Sequence, residues 1–178
     1  MTDIDGVDVI IDQWRRERPD LDMSPIGVIG RISRLSREIE HRLEPVYAAS
    51  GLEPGWYDVL ATLRRAGPPY RVRPTDFAAT LMLTSSGTTK RLDRLEAAGY
   101  VTRERDPSDR RGVLIALTPQ GRSLVDNAAG KHMANESLIL SGLSVAEQRQ
   151  LAGLLRKLTL TLPPEEDGKQ PPPDPRQP

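Results

Sequence analysis

The chain has no cysteine. That excludes a disulfide framework, a thiolate nucleophile, a redox-sensing thiol and any cysteine-based zinc site. Histidine is nearly as scarce. His41 and His132 are the only two, too few and too far apart in sequence to suggest a metal centre, and no cofactor is expected. No apolar run approaches the roughly 20 residues a membrane span needs, so no membrane partner is expected. The opening MTDIDGVDVIID is acidic and lacks the basic segment and cleavage site of a secretory signal, which points to the cytoplasm. The phosphate-binding and nucleophile motifs of common enzymes are missing too; Lys131 follows Gly130 but is itself followed by His132. An enzyme is therefore not expected. Formal net charge is zero, which argues against the uniformly basic coat of an architectural DNA-binding protein.

Charge is present locally. Residues 64–111 carry Arg64, Arg65, Arg71, Arg73, Lys90, Arg91, Arg94, Arg103, Arg105, Arg110 and Arg111 against Asp76, Asp93, Glu96, Glu104, Asp106 and Asp109. A basic centre thus sits in a neutral chain of one-domain length.

The hydrophobic pattern predicts mostly helix. Residues 5–17 form a short helix that RPDLD breaks. A long one starts with Ser24 as N-cap and Pro25 in the first helical position, its apolar stripe running through Val28, Ile32, Leu35, Ile39, Leu43 and Val46. WYDVLATLRRAG gives another, closed by Gly67 and two prolines, and PTDFAATL a short one. After the turn MLT, SSGTTKRLDRLEAAG forms a helix stopped by Gly99. YVTRER alternates as a strand does, DPSDRRG is the turn and VLIAL the returning strand. Thr118 and Pro119 open a further helix, and a last one from Ser144 places Leu151, Leu155, Leu158 and Leu162 on a stripe. The Pro-rich remainder, 163–178, reads as a disordered tail. The terminal stripes, in 24–48 and 144–162, exceed what the centre needs to cover itself, which suggests a helical dimer interface.

A tight helix–turn–helix followed at once by a charged hairpin is a winged helix, a geometry that docks on double-stranded DNA. The second helix would enter the major groove with Ser85, Ser86, Gly87, Thr88, Thr89 and Lys90, all small or hydrogen-bonding, while Leu92, Leu95 and Ala98 face the core. An extended arginine at the wing tip reaches the narrow minor groove, where negative potential concentrates. Arg110 and Arg111 occupy that tip, and Asp109 stands two residues before Arg111, in reach of orienting its guanidinium.

Residues 73–121 resemble the DNA-binding core of the MarR family of transcriptional regulators, and the likeness extends outward to about 24–162. It is carried by L-x-R-L-x-x-x-G-Y-V, Leu92 to Val101, followed by D-x-R-G-V-x-x-x-L-T-x-x-G, Asp109 to Gly121. The resemblance implies a mainly α fold with a small β-hairpin wing (α+β). It also implies a winged helix-turn-helix domain (54–118) between dimerisation helices (24–50 and 119–162), a homodimer, a pseudo-palindromic operator, and Arg111 as the minor-groove arginine with Asp109 as its partner. Repression is the usual outcome in the family.

Family members that sense oxidation do so through cysteine, which this chain lacks. The extension of residues 1–20, with its added helix, is similar to the urate-responsive branch of the family. That likeness maps its ligand-binding Trp onto Trp14, His onto His41, two Asp onto Asp58 and Asp76, and Arg onto Arg91. It implies a planar aromatic anion that stacks on Trp14, pairs with Arg91 and releases DNA by moving the recognition helix. Response to another ligand, such as a phenolic acid or a tricarboxylate, or to none, is the alternative.

Overall fold

The computed structural model describes residues 4–80, 88–109 and 112–163, with the side chains of 78–80 and 88 excepted. Helix α1 (Gly6–Glu17) begins at Asp5, whose carboxylate accepts from the backbone of Val7 and Asp8 while Asp8 returns the bond, a capping box. α1 lies on the first turns of α2 (Ser24–Ala48): Val7, Ile11 and Met23 are buried together, with Ile26 packed on them, and Arg31 of α2 holds both Asp5 and Asp8. Ser24 is the first helical residue rather than the N-cap, which is Met23. The Asp22 carboxylate accepts both the N–H and the hydroxyl of Ser24, so the cap chemistry sits two residues earlier than the Ser-Pro pair suggests.

α3 (Trp56–Arg65), α4 (Pro74–Thr80) and α5 (Thr88–Ala97) surround one main core with a three-stranded antiparallel sheet, β1 (Arg71–Val72), β2 (Val101–Arg105) and β3 (Val113–Leu117), in the order β1-β3-β2. The expected hairpin is β2 and β3, in register from Val101↔Leu117 to Arg105↔Val113. The two-residue β1, which the sequence pattern does not reveal, pairs Arg71↔Ala116 and Val72↔Ile115. Val59, Leu60, Leu63, Phe77, Leu92, Leu95, Val101, Ile115, Val125 and Ala128 are buried between these elements. Each large side chain among them stabilises the fold by about 1.5–3 kcal/mol. Gly99, at φ +77°, ends α5 and lets Tyr100 N–H reach back to the Leu95 carbonyl.

α6 (Pro119–Ile139) starts as the sequence indicates: Thr118 Oγ1 accepts from Gly121 N–H at 3.0 Å. Residues to Leu138 form one compact unit, and those from Ile139 a second. The described residues of the second unit include a 3₁₀ turn (Leu140–Gly142) and α7 (Val145–Thr161), which Ser144 and Glu147 start with a capping box. Among the described residues α2 and α7 have no buried side chain. Val28, Ile29 and Leu35 on the one and Leu151, Leu154, Leu155 and Leu158 on the other are all exposed. No described helix is long and apolar enough to cross a membrane.

Candidate nucleic-acid interface and effector cluster

The recognition helix is anchored from behind. Leu92 and Leu95 of α5 enter the core, while Ala98, expected on the same face, is exposed because the helix has ended at Ala97 and the chain is turning toward Gly99. Arg103 of β2 reaches back to α5, with Nη2 2.5 Å from Asp93 and Nη1 on Glu96. Arg94 pairs with Glu53 at 3.4 Å. Arg103 thereby neutralises both acidic residues of α5, and Thr89 and Lys90 remain exposed at its start. Thr88 opens the helix; Ser85, Ser86 and Gly87 lie outside the described residues.

The wing is built around a residue that sequence reading did not single out. Asp106 follows β2 and its side chain is only 4% exposed. Its Oδ1 accepts both the N–H and the hydroxyl of Ser108, at 2.8 and 2.6 Å, and its Oδ2 accepts from Arg73. These bonds, those of Ser108 first, lower its pKa to about 2. Asp106 N–H donates to the Gly112 carbonyl, and Gly112 N–H to that of Asp109, closing the turn. Glycine is required at 112 for space: a Cβ there would lie 2.8 Å from Asp106 Cβ and 3.1 Å from Asp109 Cβ. Arg110 and Arg111 lie outside the described residues.

A second cluster forms where α2, α3 and α6 meet. Tyr47 stacks on both Tyr57 and His132, with ring centroids 5.0 Å apart for the tyrosine pair, and Tyr57 tilts against His132 at 4.4 Å. His132 is buried, its Nδ1 3.2 Å from the Tyr47 hydroxyl and its Nε2 3.1 Å from Glu136. Burial raises both phenols, so they stay neutral. Asp58 lies beside them, half-buried, and its Oδ2 is buried without a hydrogen-bond partner. Burial raises the Asp58 carboxyl above its ordinary value, and the nearby charges of Arg65, Arg91 and His132 oppose that shift without cancelling it.

Arg91 leaves α5 toward this cluster. Its side chain covers Gly55, the left-handed residue (φ +77°) that starts α3, so closely that a Cβ on Gly55 would sit 2.5 Å from Nε. The structure therefore brings together two of the five residues mapped from the family, Asp58 and Arg91. Trp14 is 46% exposed on α1; Val7 and Ile11, not the indole, anchor that helix. His41 is 81% exposed on α2, 3.9 Å from Glu44. Asp76, in the first turn of α4, lies in the field of Arg73 at the base of the wing. Tyr47, Tyr57 and His132 were not among the expected residues. The signal for His132 was its place one turn beyond Val125 and Ala128 on the buried stripe of α6.

A helical core carrying a three-stranded sheet, with a polar helix start and a tightly closed charged turn on one domain, defines a winged-helix DNA-binding protein. The MarR family model matches residues 50–112. The chain is 44% identical over 149 residues to the HTH-type transcriptional regulator PecS of Dickeya dadantii (strain 3937), covering 84% of this chain and 90% of that protein. Among solved structures, it is similar to Sco3205, a MarR family transcriptional regulator from Streptomyces coelicolor, in complex with DNA (TM-score 0.71, 26% identity, 82% of this chain and 92% of that one). It is also similar to BpsR of Bordetella bronchiseptica, whose DNA binding is regulated by 6-hydroxynicotinic acid (TM-score 0.67, 26% identity, 74% and 92%). The chain belongs to the MarR family: it is a DNA-binding transcriptional regulator and not an enzyme.

Proposed function

We propose that the chain works as a homodimeric repressor that binds a pseudo-palindromic operator and lets go when a small planar aromatic anion, of which urate is the candidate, occupies the region around Asp58 and Arg91. The exposed apolar faces of α2 and α7 support assignment of residues 24–50 and 119–162 to dimerisation. Ser85, Ser86, Thr88, Thr89 and Lys90 face the major groove, and Arg111, oriented by Asp109 and beside Arg110, takes the minor groove.

The observation that carries the release mechanism is the position of Arg91. It shares α5 with Lys90 yet points at Gly55 and into the field of Asp58. An arriving anion competes with Asp58 for that guanidinium, and any movement of Arg91 is movement of the recognition helix. The family resemblance adds Trp14, His41 and Asp76 to the set, from α1, α2 and α4. Since a ligand with equal affinity for both states shifts nothing, the anion must prefer the arrangement that cannot bind DNA. BpsR, regulated by an aromatic acid, keeps a phenolic or related acid as the second reading.

The test is titration of the protein–DNA complex with urate, xanthine and salicylate, using a duplex selected from random sequence by the wild-type protein. Urate is expected to dissociate the wild-type complex at sub-millimolar concentration and to act weakly on Arg91→Ala and Asp58→Asn. A complex that survives millimolar urate ends the urate assignment.

A further inference from the structure

We propose that Arg73 and Asp106 form a clamp whose role is to aim the wing at DNA, with Arg73 acting as a positioning residue for the wing arginine. The proposal rests on the reading of Arg111 given above.

Arg73 stands between β1 and α4, separated from neither by a loop, so its backbone is fixed by the sheet on one side and the helix on the other. From there its guanidinium reaches across 33 residues of chain to Asp106, with Nε and Nη2 at 2.9 and 2.8 Å from one carboxylate oxygen, while Nη2 also donates to the Ser108 hydroxyl at 3.1 Å. Asp76 and Asp109 lie in the same field. The carboxylate it grips is the one that organises the turn 106–112 from its first residue, and the opposite end of that turn is packed against the same residue's Cβ at Gly112. A planar guanidinium held at three points fixes direction as well as distance.

The Ser108 bonds alone suffice to form the turn, as Asp two residues before a backbone donor does in many loops. Arg73 adds something else. Its guanidinium is half exposed, and the buried Asp106 carboxylate keeps both Ser108 bonds without it, so the expected loss of stability on removing Arg73 is modest. What it does is tie the turn to α4, the helix that leads into the recognition helix, and so set the wing's angle against the groove reader. A wing free to swing loses its minor-groove contact without losing its fold.

The experiment uses the full-length protein and the selected duplex. Arg73→Gln and Asp106→Asn are each expected to weaken binding about tenfold, with Arg73→Lys intermediate, and Arg73→Gln is expected to leave the melting temperature near that of wild type. Hydroxyl-radical protection at the outer minor grooves should fade while dimethyl sulfate protection of major-groove guanines persists. The double variant with Arg111→Ala should bind no more weakly than Arg111→Ala alone, because both act on one contact. The clamp is overturned if Arg73→Gln binds as wild type, or if its effect multiplies with that of Arg111→Ala. It is also overturned if both kinds of protection fall together with melting temperature. If Arg111→Ala itself binds as wild type, the reading of the wing fails and the clamp with it; a normal loss in Arg111→Ala beside a silent Arg73→Gln rejects the clamp alone.

Discussion

The Tyr47 hydroxyl lies 3.2 Å from Nδ1 of His132, a bond between the end of α2 and the middle of α6 across 85 residues of chain. With Tyr57 stacked on Tyr47 and tilted against His132, it joins a helix assigned to dimerisation, a helix of the DNA-binding core and α6 in one joint. Tyr47→Phe keeps the stack and removes the bond. It should cost roughly 0.5–1.5 kcal/mol in urea unfolding. An unchanged midpoint would show that the ring contacts alone hold the joint.

Asp58 should make stability rise on mild acidification. Its folded pKa is raised above the ordinary 3.8, chiefly by burial. The native state therefore binds more protons than the unfolded state between those two values, and stability falls as pH rises through that window. Asp58→Asn should flatten this dependence and raise the melting temperature slightly at pH 7. A variant that melts lower at pH 7 and keeps the wild-type pH profile speaks against the assignment.

Asp106 has the opposite sign. Its folded pKa is lowered from 3.8 to about 2, so its contribution is complete above the unfolded value and disappears as pH falls from about 4 to about 2. Denaturant midpoints measured across that range should drop more steeply for wild type than for Asp106→Asn. Parallel curves for the two proteins would remove Asp106 from the acid response.

Gly55→Ala combines a left-handed backbone with a collision against Arg91 Nε. A destabilisation of about 1–3 kcal/mol is expected. Displacement of Arg91 should also blunt the response to urate in the complex-dissociation assay. Retention of a full response in a folded Gly55→Ala protein would separate Arg91 from the sensing step.

Local chemistry was the legible part. Thr118 before Pro119, Ser144 three residues before Glu147, Gly99 after α5 and the alternation of VTRER before the apolar run VLIAL each state their structure within a few neighbouring residues. Ser24 misled by one position because Asp22, a better acceptor, stood two residues earlier. β1 has only two residues and exists because β3 offers it an edge, which no local pattern records. The same holds for the site. Asp58 and Arg91 were reached by resemblance, but the joint of Tyr47 with His132 and the grip of Arg73 on Asp106 depend on distant partners, 85 and 33 residues apart. A buried aspartate and a surface one look alike until the fold chooses their neighbours.

Helix α1 rests on a hydrophobic cluster of its own, Val7, Ile11 and Met23, separate from the main core. Its undocking would expose that cluster and break the Arg31 ion pairs while leaving the main core intact, so α1 is expected to behave as a separate foldon. In hydrogen exchange, the amides of α1 should open well before those of α3, by sub-global rather than global unfolding. The indole of Trp14 travels with a piece of the molecule that can open without the main core.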